Sequence, residues 1–411
     1  MAKPYFITGL DIGSAFIKAL VAEKKQGEDG FQIVAQQSLP SAGIRRGIVI
    51  DVQKASEVIF ALIKGIEEDA GKRIGGVYAN IGGAHLFCSS SKGLVSVSRA
   101  DQKISEEDVR RLMQAAQTIS LPSNKEILEV FPKEFIVDGQ GGVKDVLGMH
   151  GVRLEAEAVI IGAFSPYIKN STQAILNAKL QLNDLIPSIL AGAKAVLTYK
   201  EKELGVAVLD MGAGTSSLAV FEEGNLIHLV VFPIGSSHIT NDIAICLKTD
   251  IDTAERIKLE LGFLRGGTWK TKGARSDRQI KIEAGDDSES LVLSKKMLAD
   301  IIEAREAEVF DEVGKELKKI SRHQLLPAGV VLIGGGAKLP GLSDFAKNEF
   351  KLPCRIGKPQ NFSQTIDDPS FAAVCGLVLE GAEAEEEPKS PFETGEGISS
   401  KLKRFFRIFI P

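Results

Sequence analysis

Two stretches of this chain share one grammar. Leu10–Glu23 reads LDIGSAFIKALVAE and Leu209–Glu222 reads LDMGAGTSSLAVFE: Leu-Asp, an apolar residue, Gly, a small residue, then an apolar strand ending in Glu. With the apolar runs Tyr5–Leu10 and Val206–Leu209 in front of them, both copies read as strand–turn–strand. One such hairpin alone is usually just a turn. The copies lie 199 residues apart, Leu10 to Leu209, too far for a solenoid repeat and suited to a duplicated domain. The expected fold is α/β, with two related lobes and their hairpins facing each other.

The tips of these hairpins have the parts of a phosphate cradle. Backbone N–H groups and hydroxyls can face phosphates there, and a carboxylate can hold Mg²⁺ through its water shell. The first tip offers Asp11, Gly13 and Ser14; the second offers Asp210, Gly212, Gly214, Thr215 and Ser216. Lys18, on the exiting strand, is either a solvated edge lysine or an ammonium that returns to a β-phosphate. Further on, Pro327–Ile333 is an apolar strand that runs into Gly334-Gly335-Gly336-Ala337. Three glycines between a strand and a helix let backbone approach a ligand closely. After two Asp-x-Gly hairpins, this is the expected contact for an adenosine. Glu255 and Lys258 lie one helical turn apart, either as a surface ion pair or flanking a base and ribose.

Composition excludes several classes. A net charge of −4 gives no footprint for nucleic acid. Cys88, Cys246, Cys354 and Cys375 form no CxxC pair, so reduced cytosolic thiols are expected. The five histidines form no metal-spaced cluster. The start, MAKPYFITGLDIG, runs straight into a strand, so no signal peptide is expected. No run approaches the ~20 apolar residues of a spanning helix.

Between the hairpins, helical spacing predicts a helix over Asp51–Ala70, and Val77–Ile81 reads as a buried strand before Gly82-Gly83. From 85 to 164 the texture changes. A half-exposed strand (Leu94–Ser98), a capped helix (Asp108–Ile119), and strands at Ile127–Val137 and Arg153–Ile161 flank the Gly-rich Asp138–Gly151. That order suggests a small α+β insert used for interactions. Ser165–Leu180 and Pro187–Tyr199 read as helices, the second rich in small residues that permit close packing between lobes. Arg265–Asp287 reads as a polar surface loop, and Ser294–Arg322 as a long helix.

The end of the chain is distinctive. Residues 381–397 form an acidic Pro/Gly/Ser linker, and ISSKLKRFFRIFIP follows. On a helix, Leu402, Phe405, Phe406 and Phe409 share a stripe with Ile398, while Lys403, Arg404 and Arg407 take the opposite face. Such a helix lies in a membrane interface, favouring an anionic surface; a helix docked on a partner protein is the alternative. One tail binds reversibly, because ordering the helix offsets much of the ~1.5–3 kcal/mol each apolar side chain gains on burial. Firm attachment therefore implies several tails on one assembly.

LDIGSAFIK, LDMGAGTSS and VLIGGGAKLPG together resemble the two phosphate motifs and the adenosine motif of the actin/Hsp70/sugar-kinase superfamily. Within it, FPKEFIVDGQGGVKDVLGMHGVRLEAEAVII (131–161) and ITNDIAICLKTDIDTAERIK (239–258) resemble FtsA, the family of bacterial cell-division actin homologues. The resemblance implies an actin-like two-lobed fold: lobe I from 1–84 and 165–203, lobe II from 204–236 and 328–380. Residues 85–164 would be the relocated subdomain, used in polymer contacts and recruitment of later division membrane proteins. Residues 237–327 would bind the C-terminal peptide of FtsZ, with Arg305 meeting that acidic-apolar peptide, and 398–411 would target the membrane. The implied cofactors are ATP and Mg²⁺. Asp11 and Asp210 would lie near the metal, the tip residues around the phosphates, and Gly334–Ala337, Glu255 and Lys258 near the nucleoside. The implied function is a polymerising tether for FtsZ filaments; an actin-like type IV pilus assembly protein is the alternative, and a small-molecule kinase a remoter one. Where actin carries a water-positioning glutamine, the pattern sets Lys194, so ATP turnover is expected to be slow or negligible.

Overall fold

The computed structural model describes residues 5–24, 30–265, 279–282, 291–322 and 324–386. It opens on a meander of β1 (Tyr5–Ile12), β2 (Phe16–Lys24) and β3 (Gln32–Pro40). A small hairpin of β4 (Ile44–Arg45) and β5 (Ile48–Val49) follows, then helix α1 (Val52–Ala70). Asp51 caps α1 by accepting from the backbone N–H of Lys54, and Gly71 ends it in the left-handed region. β6 (Gly76–Ile81) returns parallel to β1.

The next segment makes its own sheet. β7 (Phe87–Ser96), α2 (Glu106–Gln117), β8 (Lys125–Val137), β9 (Gln140–Val143) and β10 (Arg153–Phe164) follow in order. The strands pair as β7-β10-β8-β9, and α2 packs its Val109, Leu112 and Met113 against them in a separate small core. Then come α3 (Ser165–Asn177), β11 (Gln181–Pro187), α4 (Ser188–Val196) and α5 (Tyr199–Leu204).

The second lobe repeats the opening. β12 (Val206–Met211), β13 (Ser216–Glu222) and β14 (Asn225–Phe232) form its meander. After it come α6 (Ser236–Leu247), α7 (Ile251–Leu261), β15 (Gln279–Ile282), β16 (Leu291–Ser294) and the long α8 (Lys295–Lys319). β17 (Val330–Ile333), α9 (Leu342–Phe350), β18 (Cys354–Ile356) and α10 (Ala372–Glu386) complete the described chain.

The two five-stranded sheets have one plan. In β3-β2-β1-β6-β11 and in β14-β13-β12-β17-β18 the meander pairs antiparallel and the last two strands join parallel. Between the sheets run α4 and α10. The side chains of α4 from Ile189 to Val196 are buried except Lys194, and Val374, Cys375, Leu377 and Val378 of α10 are wholly buried. The helices cross so closely that a Cβ on Gly376 would lie 1.7 Å from the carbonyl oxygen of Ala191.

Several expectations change. Residues 181–187, left between two helices, form β11, whose outer half is partly exposed and lacks a clean apolar pattern. The Pro187–Tyr199 helix splits, because Thr198 leaves the helical path to cap α5. The Gly-rich stretch after residue 138 contains β9, and the polar Arg265–Asp287 loop contains β15, paired with β16. Residues 381–386 continue α10 rather than start a linker, since Ala and Glu are strong helix formers. α10 packs against β1 and α4, so residues 372–380 cover lobe I rather than lobe II. The rest of the linker and the 398–411 helix, with Leu402, Lys403, Arg404, Phe405, Phe406, Arg407 and Phe409, lie outside the described residues.

Candidate functional site

Asp11 and Asp210 hold the same place in the two sheets, each one residue before the end of the lobe's central strand. The turns that follow are also the same: the Gly13 N–H donates to Phe16 O at 3.1 Å, and the Gly212 N–H to Thr215 O at 3.0 Å. The tips meet. A Cβ on Gly214 would lie 2.8 Å from Ser14 Oγ. The start of α6 is tied to the second tip, with Ser236 N–H donating to Gly212 O and Ser237 N–H to Ala213 O, both at 2.9 Å.

Around this junction charge is buried. Asn80 Nδ2 donates to Asp11 Oδ1 at 2.6 Å, and Asn80 Oδ1 accepts from the Ile12 N–H at 2.6 Å. Lys18 Nζ lies 3.6 Å from Asp11 Oδ2 and donates to Ser370 O at 2.7 Å. Burial pushes the Asp11 carboxyl up despite Lys18 and Asn80. Burial, and then the like charge of Asp11, pushes Asp210 up to about 6. Two neighbouring carboxylates whose ionisation burial disfavours suit a bound cation, whose charge reverses the balance. Ser216 Oγ is buried without a hydrogen-bond partner among the described residues, a free hydroxyl in the second tip. This donor set fits a Mg²⁺–phosphate group.

The third glycine run joins the same site. Gly334, at φ +87°, packs where a Cβ would meet Asp210 Oδ1 at 2.3 Å, so only glycine serves there. Gly336 packs on Met211 O, Gly335 has open space beside it, and Ala337 is buried. Glu255 and Lys258 form a distinct cluster on α7. Lys258 is buried rather than part of a surface pair; its Nζ donates to Thr240 Oγ1 at 2.9 Å and Glu255 Oε2 at 2.7 Å.

Arg305 is engaged within the chain. Its guanidinium grips Asp242 on α6 with two bonds, 2.7 and 2.9 Å, and also meets Glu308. Lys194 is ion-paired to Glu380 and Glu383 of α10.

Sequence reasoning passed over Asn80, whose signal was an amide inside the apolar run Val77–Ile81. It also missed Glu306 on α8, a buried carboxyl pushed up to about 8 by burial, with Lys258 opposing. Its signal was position: Glu306 falls on the helical stripe of Ile302, Val309 and Val313, where an apolar residue is expected.

Two lobes of one topology, each turning an Asp-Gly hairpin toward the other, define an actin-like protein. Solved structures agree on the fold. The "PilM-PilN type IV pilus biogenesis complex" aligns at TM-score 0.63 and 19% identity, covering 93% of this chain and 99% of that one. MreB 5 of Spiroplasma citri bound to AMPPNP aligns at TM-score 0.55 and 13% identity, covering 94% and 98%. The family model "Cell division protein FtsA" matches residues 207–376, and the "SHS2 domain inserted in FTSA" matches 83–162. Cell division protein FtsA of Pseudomonas aeruginosa is 32% identical over 397 residues, 96% of this chain and 93% of its own. The chain belongs to the FtsA family of cell-division proteins. No helix among the described residues is long and apolar enough to cross a membrane.

Proposed function

We propose that this chain binds ATP with Mg²⁺ between its lobes and, as a polymerising scaffold, tethers FtsZ filaments to the inner face of the cytoplasmic membrane at the division site. The observation that carries the nucleotide part is the pair Asp11 and Asp210, each one residue before the end of its lobe's central strand and each with its carboxyl pushed up by burial, between two facing hairpins. The solved MreB 5, of the same fold, holds AMPPNP. Family membership supports the division role.

The bound Mg²⁺ would neutralise phosphate charge. Asp11 and Asp210 would hold it through its water shell, and Asn80 fixes the Asp11 carboxylate in place. Lys18, beside Asp11, sets a positive charge near the β-phosphate. Gly13, Ser14, Gly212, Gly214, Thr215 and Ser216 present backbone N–H groups and hydroxyls to the phosphates. Gly334–Ala337, Glu255 and Lys258 flank the nucleoside. Lys194, in the last turn of α4, is paired with two glutamates of α10. It lies away from the Asp11 end of α4, where Ser188 meets Asn80. Slow or negligible hydrolysis, with ATP acting as an assembly switch, therefore rests on the resemblance and not on Lys194.

Residues 85–164 would serve polymer contacts and the recruitment of later division membrane proteins. The 237–327 subdomain would receive the FtsZ C-terminal peptide near Arg305, and the amphipathic 398–411 segment would bind anionic membrane. The experiment is fluorescence anisotropy of a labelled FtsZ C-terminal peptide with this protein and its Arg305→Glu variant. Micromolar binding weakened by the substitution is the expected result. Binding indifferent to it moves the site, and no binding at hundreds of micromolar overturns the tether.

A further inference from the structure

The β4–β5 hairpin stands where both phosphate tips can be touched at once. Its two turn residues, Arg46 and Gly47, have φ of +50° and +74°. Left-handed backbone at both central positions is the two-residue turn that matches strand twist, and its usual occupants are Asn-Gly, Asp-Gly or Gly-Gly. Arginine gains nothing from that conformation, which it shares with nine other non-glycine residues among those described, so its surroundings decide what use its side chain has.

The surroundings say which use. The Gly47 N–H donates to Ser14 Oγ in the first tip at 2.7 Å. A Cβ on Gly214, in the second tip, would lie 2.9 Å from the Cα of Arg46. The backbone of Arg46 thus abuts the point where the two tips meet. The proposed nucleoside contact, Gly334, packs on Asp210 at the base of the second tip, whereas Gly214 is at its far end. A nucleotide laid along the tip from Gly334 directs its last phosphate toward Arg46.

Charge points the same way. A triphosphate carries more negative charge than one Mg²⁺ cancels, and the site adds two carboxylates. Its cation, Lys18, is already shared between Asp11 and Ser370 O. Arg46 is exposed, and its guanidinium makes no hydrogen bond or ion pair with any other described residue.

Resting on the proposed nucleotide site, we infer that Arg46 is the ligand of the terminal phosphate, making the site selective for nucleoside triphosphate over diphosphate. The guanidinium fork suits a phosphate's oxygens and gives charge-assisted hydrogen bonds that a diphosphate, one phosphate shorter, does not reach.

The test is calorimetric titration of the full chain, in Mg²⁺, with ADP and with a non-hydrolysable ATP analogue. Arg46→Ala is expected to weaken the triphosphate about tenfold or more, the loss of a charge-assisted contact, and ADP by less than about twofold. Arg46→Gly removes the guanidinium while relaxing the turn, and must show the same selective loss together with an unreduced melting temperature. Arg45→Ala, the neighbouring exposed arginine, is expected to leave both affinities unchanged. Equal weakening of both nucleotides by Arg46→Gly, or no weakening, overturns the assignment. A wild-type chain that binds neither nucleotide overturns the nucleotide site itself, and this inference with it.

Discussion

At the scale of single residues, the site is built against the stability of the empty protein. Asp210, with its carboxyl pushed up to about 6 from an ordinary 3.8, binds a proton more tightly folded than unfolded. Stability therefore falls as pH rises from about 4 to about 6, and the loss is complete above that, on the order of 2–3 kcal/mol. Asp210→Asn is expected to raise the melting temperature of the nucleotide-free protein at pH 7.5 while abolishing Mg²⁺-dependent ATP binding. Thermal melts with and without MgATP check both halves. Glu306 acts likewise, with its window between an ordinary 4.5 and about 8, so Glu306→Gln should stabilise the protein at pH 8 and flatten the slope of stability with pH. The two residues differ in legibility. Asp11 and Asp210 stand out in the sequence because the chain writes the same motif twice. Asn80 and Glu306 stand out only as polar residues within apolar patterns, and what each meets there is decided by strands and helices distant in sequence.

Among the elements, the same contrast holds. The two opening hairpins, the capped α2 and the long α8 were legible, because apolar spacing and caps are local signals. β11 and α10 were not: a half-exposed parallel strand lacks a clean pattern, and α10 is buried nearly all round, which leaves little amphipathic contrast. Gly376 shows what α10 depends on. Gly376→Ala would force Cβ against the backbone of α4, with no flexible side chain to yield. A loss of about 1–3 kcal/mol in denaturant unfolding is expected, the usual range for overpacking. In the insert, Asp108, the third residue of α2, closes the capping box of Ser105 and accepts from the Ser98 N–H at 3.0 Å, Ser98 Oγ at 2.8 Å and the Ser105 N–H at 2.9 Å. Asp108→Ala should cost about 2 kcal/mol. Because the insert has its own core, hydrogen exchange should quicken in 87–164 and stay unchanged in β1 and β12.

For the whole molecule, the proposed function joins a clamp for nucleotide to a tail for membrane. The tail's amphipathic pattern is carried by sequence alone. Removal of residues 398–411 is expected to abolish sedimentation with anionic vesicles while MgATP binding persists, and salt should weaken attachment of the full chain. The measurement that bears most directly on the central claim is calorimetric titration of ATP into the full chain, with Mg²⁺ and again with EDTA. Saturable one-to-one binding that weakens sharply in EDTA, and is lost in Asp210→Asn, is the expected result. Binding indifferent to both the metal and Asp210, or no binding at all, would contradict a nucleotide site between the facing hairpins.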